Sequence, residues 1–143
     1  MKRKSLVILS IVLMLALLMS ACGNAAKLTE YDFGTDKVPS VNAVIGEERK
    51  VTGVSTGTSN GNQYKKYTYE TESMLQDLAP YLTSLMEDGW IAVNDYNLND
   101  GTGTAQLAIE SADAGKILVI TVTFDAKSYE VLIEKATGTL TPN

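Results

Sequence analysis

Apolar and polar positions alternate through the second half of the chain. In residues 116–124, Leu118, Ile120, Val122 and Phe124 share one side. In residues 128–135, Tyr129, Val131 and Ile133 oppose Glu130, Leu132 and Glu134. A period of two marks strands with one face buried and one wet. Two further strands are predicted at 90–96 and 104–110, around the turn-rich run Asn97-Leu98-Asn99-Asp100-Gly101. Earlier in the chain, 50–57 and 63–71 carry β-branched and aromatic residues on either side of Asn60-Gly61, a dipeptide that favours hairpin turns. In the second of these strands Tyr67 and Tyr69 share a face, opposite Tyr64, Lys66, Thr68 and Glu70.

The period changes at residues 73–88. Leu75, Leu78, Leu82, Leu85 and Met86 recur at helical spacing. Ser73 followed by Gln76 forms a capping box, and Gly89 is the expected stop. Pro80 lies inside this span. It removes an N–H and crowds the preceding turn, so the pattern predicts either a kink there or a helix that starts at Pro80.

These elements predict an α+β fold. A mainly antiparallel sheet of about five to six strands carries one amphipathic helix on one face, in the order β-β-α-β-β-β-β. Leu78, Leu82 and Leu85 are expected to face Leu118, Ile120 and Val122. The domain is expected to span 39–143. Residues 22–38 would be an N-terminus and tether, with Tyr31 and Phe33 as anchors onto the domain.

The first residues follow another logic. Lys2-Arg3-Lys4 precede an apolar run of 13 residues from Leu6 to Leu18, too short to span a bilayer, which takes about 20. Met19-Ser20-Ala21-Cys22 follows and ends on the one cysteine of the chain. A basic, then apolar, then small-residue segment is a secretory signal. With the cysteine at its end it resembles the lipobox of bacterial lipoproteins, with Met19 where Leu is usual. The resemblance implies a signal peptide at 1–21, removed before Cys22, and diacylation of the Cys22 thiol. It implies a protein anchored by lipid to the extracytoplasmic face of the cell membrane, since two acyl chains hold a protein stably.

Charge and composition narrow the chemistry. After residue 21 there are nine basic and seventeen acidic residues, a net charge of −8. That surface repels phosphate backbones, so no nucleic-acid partner is expected. The chain has no histidine, which removes Ser-His-Asp and Cys-His catalysis and the commonest metal ligand. With Cys22 lipidated, no thiolate remains for zinc. No cofactor and no metal are expected. The run from Asp95 to Gly101 departs from a calcium-loop spacing: counted from Asp95, glycine falls at position 7 and Gln106 at position 12, so a hairpin loop is expected.

Three surface readings remain. Tyr67, Tyr69, Trp90 and Tyr96 are candidate ligand-binding residues, because aromatic faces line grooves for sugars or peptides. The competing expectation places them between sheet and helix. Arg49-Lys50 and Lys65-Lys66 would form a basic patch if the hairpin brings them together, or a guarded strand edge if not. The carboxylates Glu70, Glu72, Asp77, Glu87 and Asp88 offer acid–base chemistry in principle, though Glu72 and Asp77 also suit a helix N-terminus. The expected function is a membrane-anchored envelope lipoprotein that acts as a non-enzymatic binding module for an envelope protein. A small-ligand binder is the first alternative and a carboxylate-based hydrolase the second.

Overall fold

The structure, a computed structural model, describes residues 27–141, so the expected signal segment and Cys22 lie outside the described residues. In chain order the elements are β1 (Glu30–Phe33), β2 (Asp36–Pro39), α1 (Val41–Ile45), β3 (Val51–Ser59), β4 (Asn62–Glu70), α2 (Met74–Glu87), β5 (Ile91–Ala92), a 3-10 turn (Leu98–Asp100), β6 (Gly103–Glu110), β7 (Lys116–Phe124) and β8 (Ser128–Thr137). The expected α+β order is present, preceded by one further hairpin and a short helix.

Turn chemistry sets the β3–β4 hairpin. Asn60 and Gly61 have φ values of 51° and 81°, the two positive angles that a two-residue type I′ turn demands. From there Ser59 to Gly53 pair in register with Asn62 to Thr68, and the bulge between Val51 and Gly53 shifts the ladder by one residue.

The strand order is β3-β4-β8-β7-β6-β5, antiparallel throughout. β4 and β5 therefore run parallel at opposite sides of the β8-β7-β6 meander. Parallel strands need a crossover, and α2 supplies it across one face of the sheet. On that inner face Leu78, Leu82 and Leu85 join Leu118, Ile120 and Val122 in one buried cluster, as the spacing predicts. Each fully buried leucine contributes about 1.5–3 kcal/mol.

At the cap of α2 Ser73 Oγ accepts from the Gln76 N–H at 3.4 Å, but the Ser73 N–H donates to Thr71 Oγ1, so only half of the expected capping box forms. At the other end Gly89 takes φ 96°. Gly89 N–H reaches the Met86 carbonyl and Trp90 N–H the Leu85 carbonyl, a Schellman closure that seats Trp90 in the core.

Four expectations change. Pro80 does not start the helix but lies within the continuous span Met74–Glu87. It stands on the exposed side, as does Gln76, whose carbonyl it leaves without an N–H, so water can take that bond. The buried stripe is Met74, Leu78, Tyr81, Leu82 and Leu85, while Leu75 and Met86 stay exposed on its flanks. The strand expected at 90–96 is only Ile91–Ala92. Beyond it the Asn94 side chain stands in for a strand, accepting from Gln106 N–H at 2.7 Å and donating to the Thr104 carbonyl at 2.8 Å. The folded unit also begins before residue 39. Tyr31, Phe33, Val38 and Val41 are buried, so β1, β2 and α1 belong to the domain and not to a tether.

Candidate functional site

Two buried polar clusters and one open cleft organise the inner face. Asp77, in the first turn of α2, has no exposed surface. Its carboxylate accepts from Arg49 Nε at 2.9 and 3.0 Å, Arg49 Nη2 at 2.8 Å, Thr71 Oγ1 at 2.7 Å and the Tyr129 hydroxyl at 3.1 Å. Burial alone would raise its pKa, but the hydrogen bonds from Arg49 and Thr71 outweigh this and hold it below the usual carboxylate value. Burial, and then the Asp77 charge, push the Tyr129 phenol far up.

Lys135 forms the second cluster. It continues the inward alternation of Tyr129, Val131 and Ile133 and is buried. Its ammonium lies 2.7 Å from Asp36 and 2.8 Å from Asp113, and donates to the Phe33 carbonyl and Thr35 Oγ1 at 3.1 Å. Burial opposes the charge, yet hydrogen bonds to Asp113 and Asp36 raise the Lys135 pKa overall. Asp36, desolvated but bonded to Lys135, Ser111 Oγ and the Ala112 N–H, is held low. This cluster clamps the β1–β2 hairpin to the sheet.

Between that hairpin and the tip of β3–β4 lies a cleft of about 700 Å³. Thr56, Thr58, Gln63 and Lys65 form its floor, with Phe33 and Thr35 at its side and Lys135 and Asp113 at its back. The Lys65 ammonium sits 5.4 Å from the centre of the Phe33 ring. Hydroxyls, an amide and this ammonium can all hydrogen-bond a polar ligand. The ionisable groups at the back are already committed to one another.

The candidate aromatic residues do not form an open groove. Tyr67, Tyr69 and Trp90 are buried, and Tyr96 is packed against the same core. Tyr67 lies 4.6 Å from Tyr31 and Tyr69 lies 5.1 Å from Tyr129, centre to centre. The Tyr31 and Tyr69 hydroxyls are 2.7 Å apart, and burial pushes the Tyr69 pKa up to about 12. The cause is register: Tyr69 stands opposite Tyr129 and Tyr67 opposite Val131 on the face that α2 and the hairpin cover.

The basic residues also stay apart. Arg49 turns inward to Asp77, Lys50 pairs with Glu70, and Lys66 pairs with Glu130, while Lys65 lies several residues along the strand in the cleft. At Asn97 to Gly101 the Asn97 side chain accepts from the Asn99 N–H and donates to Asp100, a self-contained turn. Among the described residues no group of three acidic or thiol side chains converges on a metal position, and no helix is long and apolar enough to cross a membrane.

In the sequence Asp77 stands out only as one of five carboxylates, without its burial or its partners, and Lys135 is not singled out. The signal for Lys135 was its phase in an alternating strand. For Asp77 it was a position beside Leu78 and one turn before Tyr81. No known protein family, curated protein or solved structure matches the chain.

Proposed function

We propose that this protein is a cell-envelope lipoprotein, held on the extracytoplasmic face of the membrane by lipid on Cys22, and that its domain is a non-enzymatic binding module for another envelope component. The attachment rests on the pattern of Lys2–Lys4, the apolar run and Met19-Ser20-Ala21-Cys22. The binding role rests on one observation: the buried acids and the buried lysine are committed to structural partners, while the cleft beside them is open, polar and edged by Lys65. A partner rich in neutral hydrogen-bonding groups suits that lining, in which the Lys65 charge is balanced by Asp32.

Two measurements test the reading. Cys22→Ser should move the protein from the membrane to the soluble fraction, and persistence in the membrane pellet would overturn the lipid anchor. A photo-crosslinking side chain at Gln63, on β4 and in the cleft, should capture a partner in living cells. The same group at Thr83, exposed on α2, should not. Equal capture at both positions would remove the cleft from the account.

A further inference from the structure

The sheet ends in two unlike edges. β5 is two residues long, and Asn94 occupies the backbone of β6 beyond it. β3 is nine residues long and has a neighbour on one side only. Exposed edges are usually guarded by charge or proline. From Val51 to Ser59 there is neither, and the one bulge lies at the strand's end, between Val51 and Gly53. Instead, Thr52-Gly53-Val54-Ser55-Thr56-Gly57-Thr58 reads the same from either end, except that Val54 answers Thr56. Valine and threonine have nearly the same shape. A strand that pairs antiparallel with its own copy is laid against its own reverse, because a two-fold interface is self-complementary. We propose that β3 is the interface of a homodimer: two copies pair antiparallel about a two-fold axis at Ser55 and join their six-stranded sheets into one.

The phase of the backbone agrees. The two-residue turn makes Ser59 and Asn62 a hydrogen-bonded pair, and such pairs alternate along the ladder. Gly57 and Ser55 then bond to β4, while Val54, Thr56 and Thr58 point their N–H and C=O groups away from it. The Glu70 N–H bonded to Lys50 and the Thr71 N–H turned to Lys127 keep the same phase on the β4 side. About the proposed axis Val54 meets the partner's Thr56 as a hydrogen-bonded pair, and Thr56 meets the partner's Val54. Ser55 meets the partner's Ser55 in the narrow position, where Cα atoms approach to about 4.5 Å.

Side chains fit the same axis. Gly57 meets the partner's Gly53, and facing glycines leave the sheet surface bare. Tyr64 fills that space, since its ring lies so close over Gly57 that a Cβ there would stand 3.1 Å from it. Its hydroxyl reaches towards Ser55 Oγ at 3.4 Å, along the edge itself. Val54, 61% exposed, gains cover beside the partner's Thr56. The acidic chain repels its copy at long range, but this edge sets no like charges opposite each other.

Cysteine bridging in the full chain tests the pairing, with the parent protein and its single Cys22 as background. Ser55→Cys should give a disulfide-linked dimer of most of the protein under mild oxidation, because the expected Cα separation lies inside the disulfide range. Ser59→Cys is the more exposed of the two on the same strand, yet its copies would stand roughly 26 Å apart at about 3.3 Å per residue. It should bridge no more than the parent. Adding Val54→Lys to Ser55→Cys should abolish the bridge and halve the mass in sedimentation, and an unchanged melting curve would show that the fold is kept. Equal bridging at positions 55 and 59 would overturn the pairing. So would no bridge at 55, an outcome that would leave the edge to a strand from a different chain.

Discussion

The two buried charge clusters solve opposite problems. Around Asp77 a buried anion is ringed by donors, and its counter-ion Arg49 keeps about a quarter of its side chain exposed. Around Lys135 a buried cation is ringed by acceptors, one in the buried Asp36 and one in the half-exposed Asp113. The first ties α2 to the residue that follows β4 and to β8, through Thr71 and Tyr129. The second ties β1–β2 to β8 and to the loop at Ser111–Asp113. One thus locks the crossover helix and the other an added hairpin. The difference teaches that a buried charge here marks a joint between elements that the backbone ladder does not connect. Removing one partner of such a cluster is costly because the other is left desolvated.

Breaking the helix joint should have the largest effect. Asp77→Ala leaves Thr71 and Tyr129 without their acceptor and Arg49 without its buried partner, and should lower stability by about 3 kcal/mol in denaturant unfolding. An effect as small as that of an exposed substitution would show that the carboxylate is not needed for docking.

The hairpin joint should be weaker. Lys135→Met should cost about 2 kcal/mol, since Asp36 keeps the Ser111 and Ala112 donors. Adding Asp36→Asn removes the unpaired charge and should recover part of that loss. A double variant no better than the single one would mean that packing of the lysine stem, not charge, holds the hairpin.

Solution pH should act on both ends of the range. Asp77 and Asp36 have lowered folded pKa values. Their stabilisation is complete above the unfolded carboxylate value of about 4 and is lost as pH falls through the folded values. Lys135 and Tyr69 have raised values, Tyr69 to about 12. Their contribution is complete below the unfolded values near about 10 and is lost as pH rises through the folded ones. Melting temperature should therefore form a plateau between these limits. Asp77→Asn should lower the plateau and flatten its acid limb; an unchanged acid limb would assign it to other carboxylates.

The smallest effect is expected at Asp113→Asn. Its side chain is 43% exposed, so water can replace the bond to Lys135, and the melting midpoint should barely move. A shift as large as that of Lys135→Met would make Asp113 the dominant partner of the lysine.

Much of this architecture was legible because its causes are local. The inward faces of β7 and β8 follow from alternation, the β3–β4 turn from Asn60-Gly61, and the ends of α2 from Ser73 and Gly89. The candidate site was less so. Tyr67 and Tyr69 were placed correctly on one face, but which face is covered depends on what packs there, and a strand cannot report its cover. The early start of the domain escaped notice for the same reason, because four-residue strands such as β1 and β2 show too little alternation to be read alone.

What the sequence determined by itself is therefore the set of element types, most of their ends and the signal-like segment before Cys22, since backbone propensity, turn angles and periodicity act within a few residues. Tertiary structure decided the rest. It set β8 beside β4 across an intervening stretch of more than fifty residues. It also shortened β5, tolerated Pro80 on a wet helix face, and made partners of Asp77 with Arg49 and of Lys135 with Asp36. Each of those outcomes depends on which surfaces lose water together, and that is a property of the packed chain, not of any segment of it.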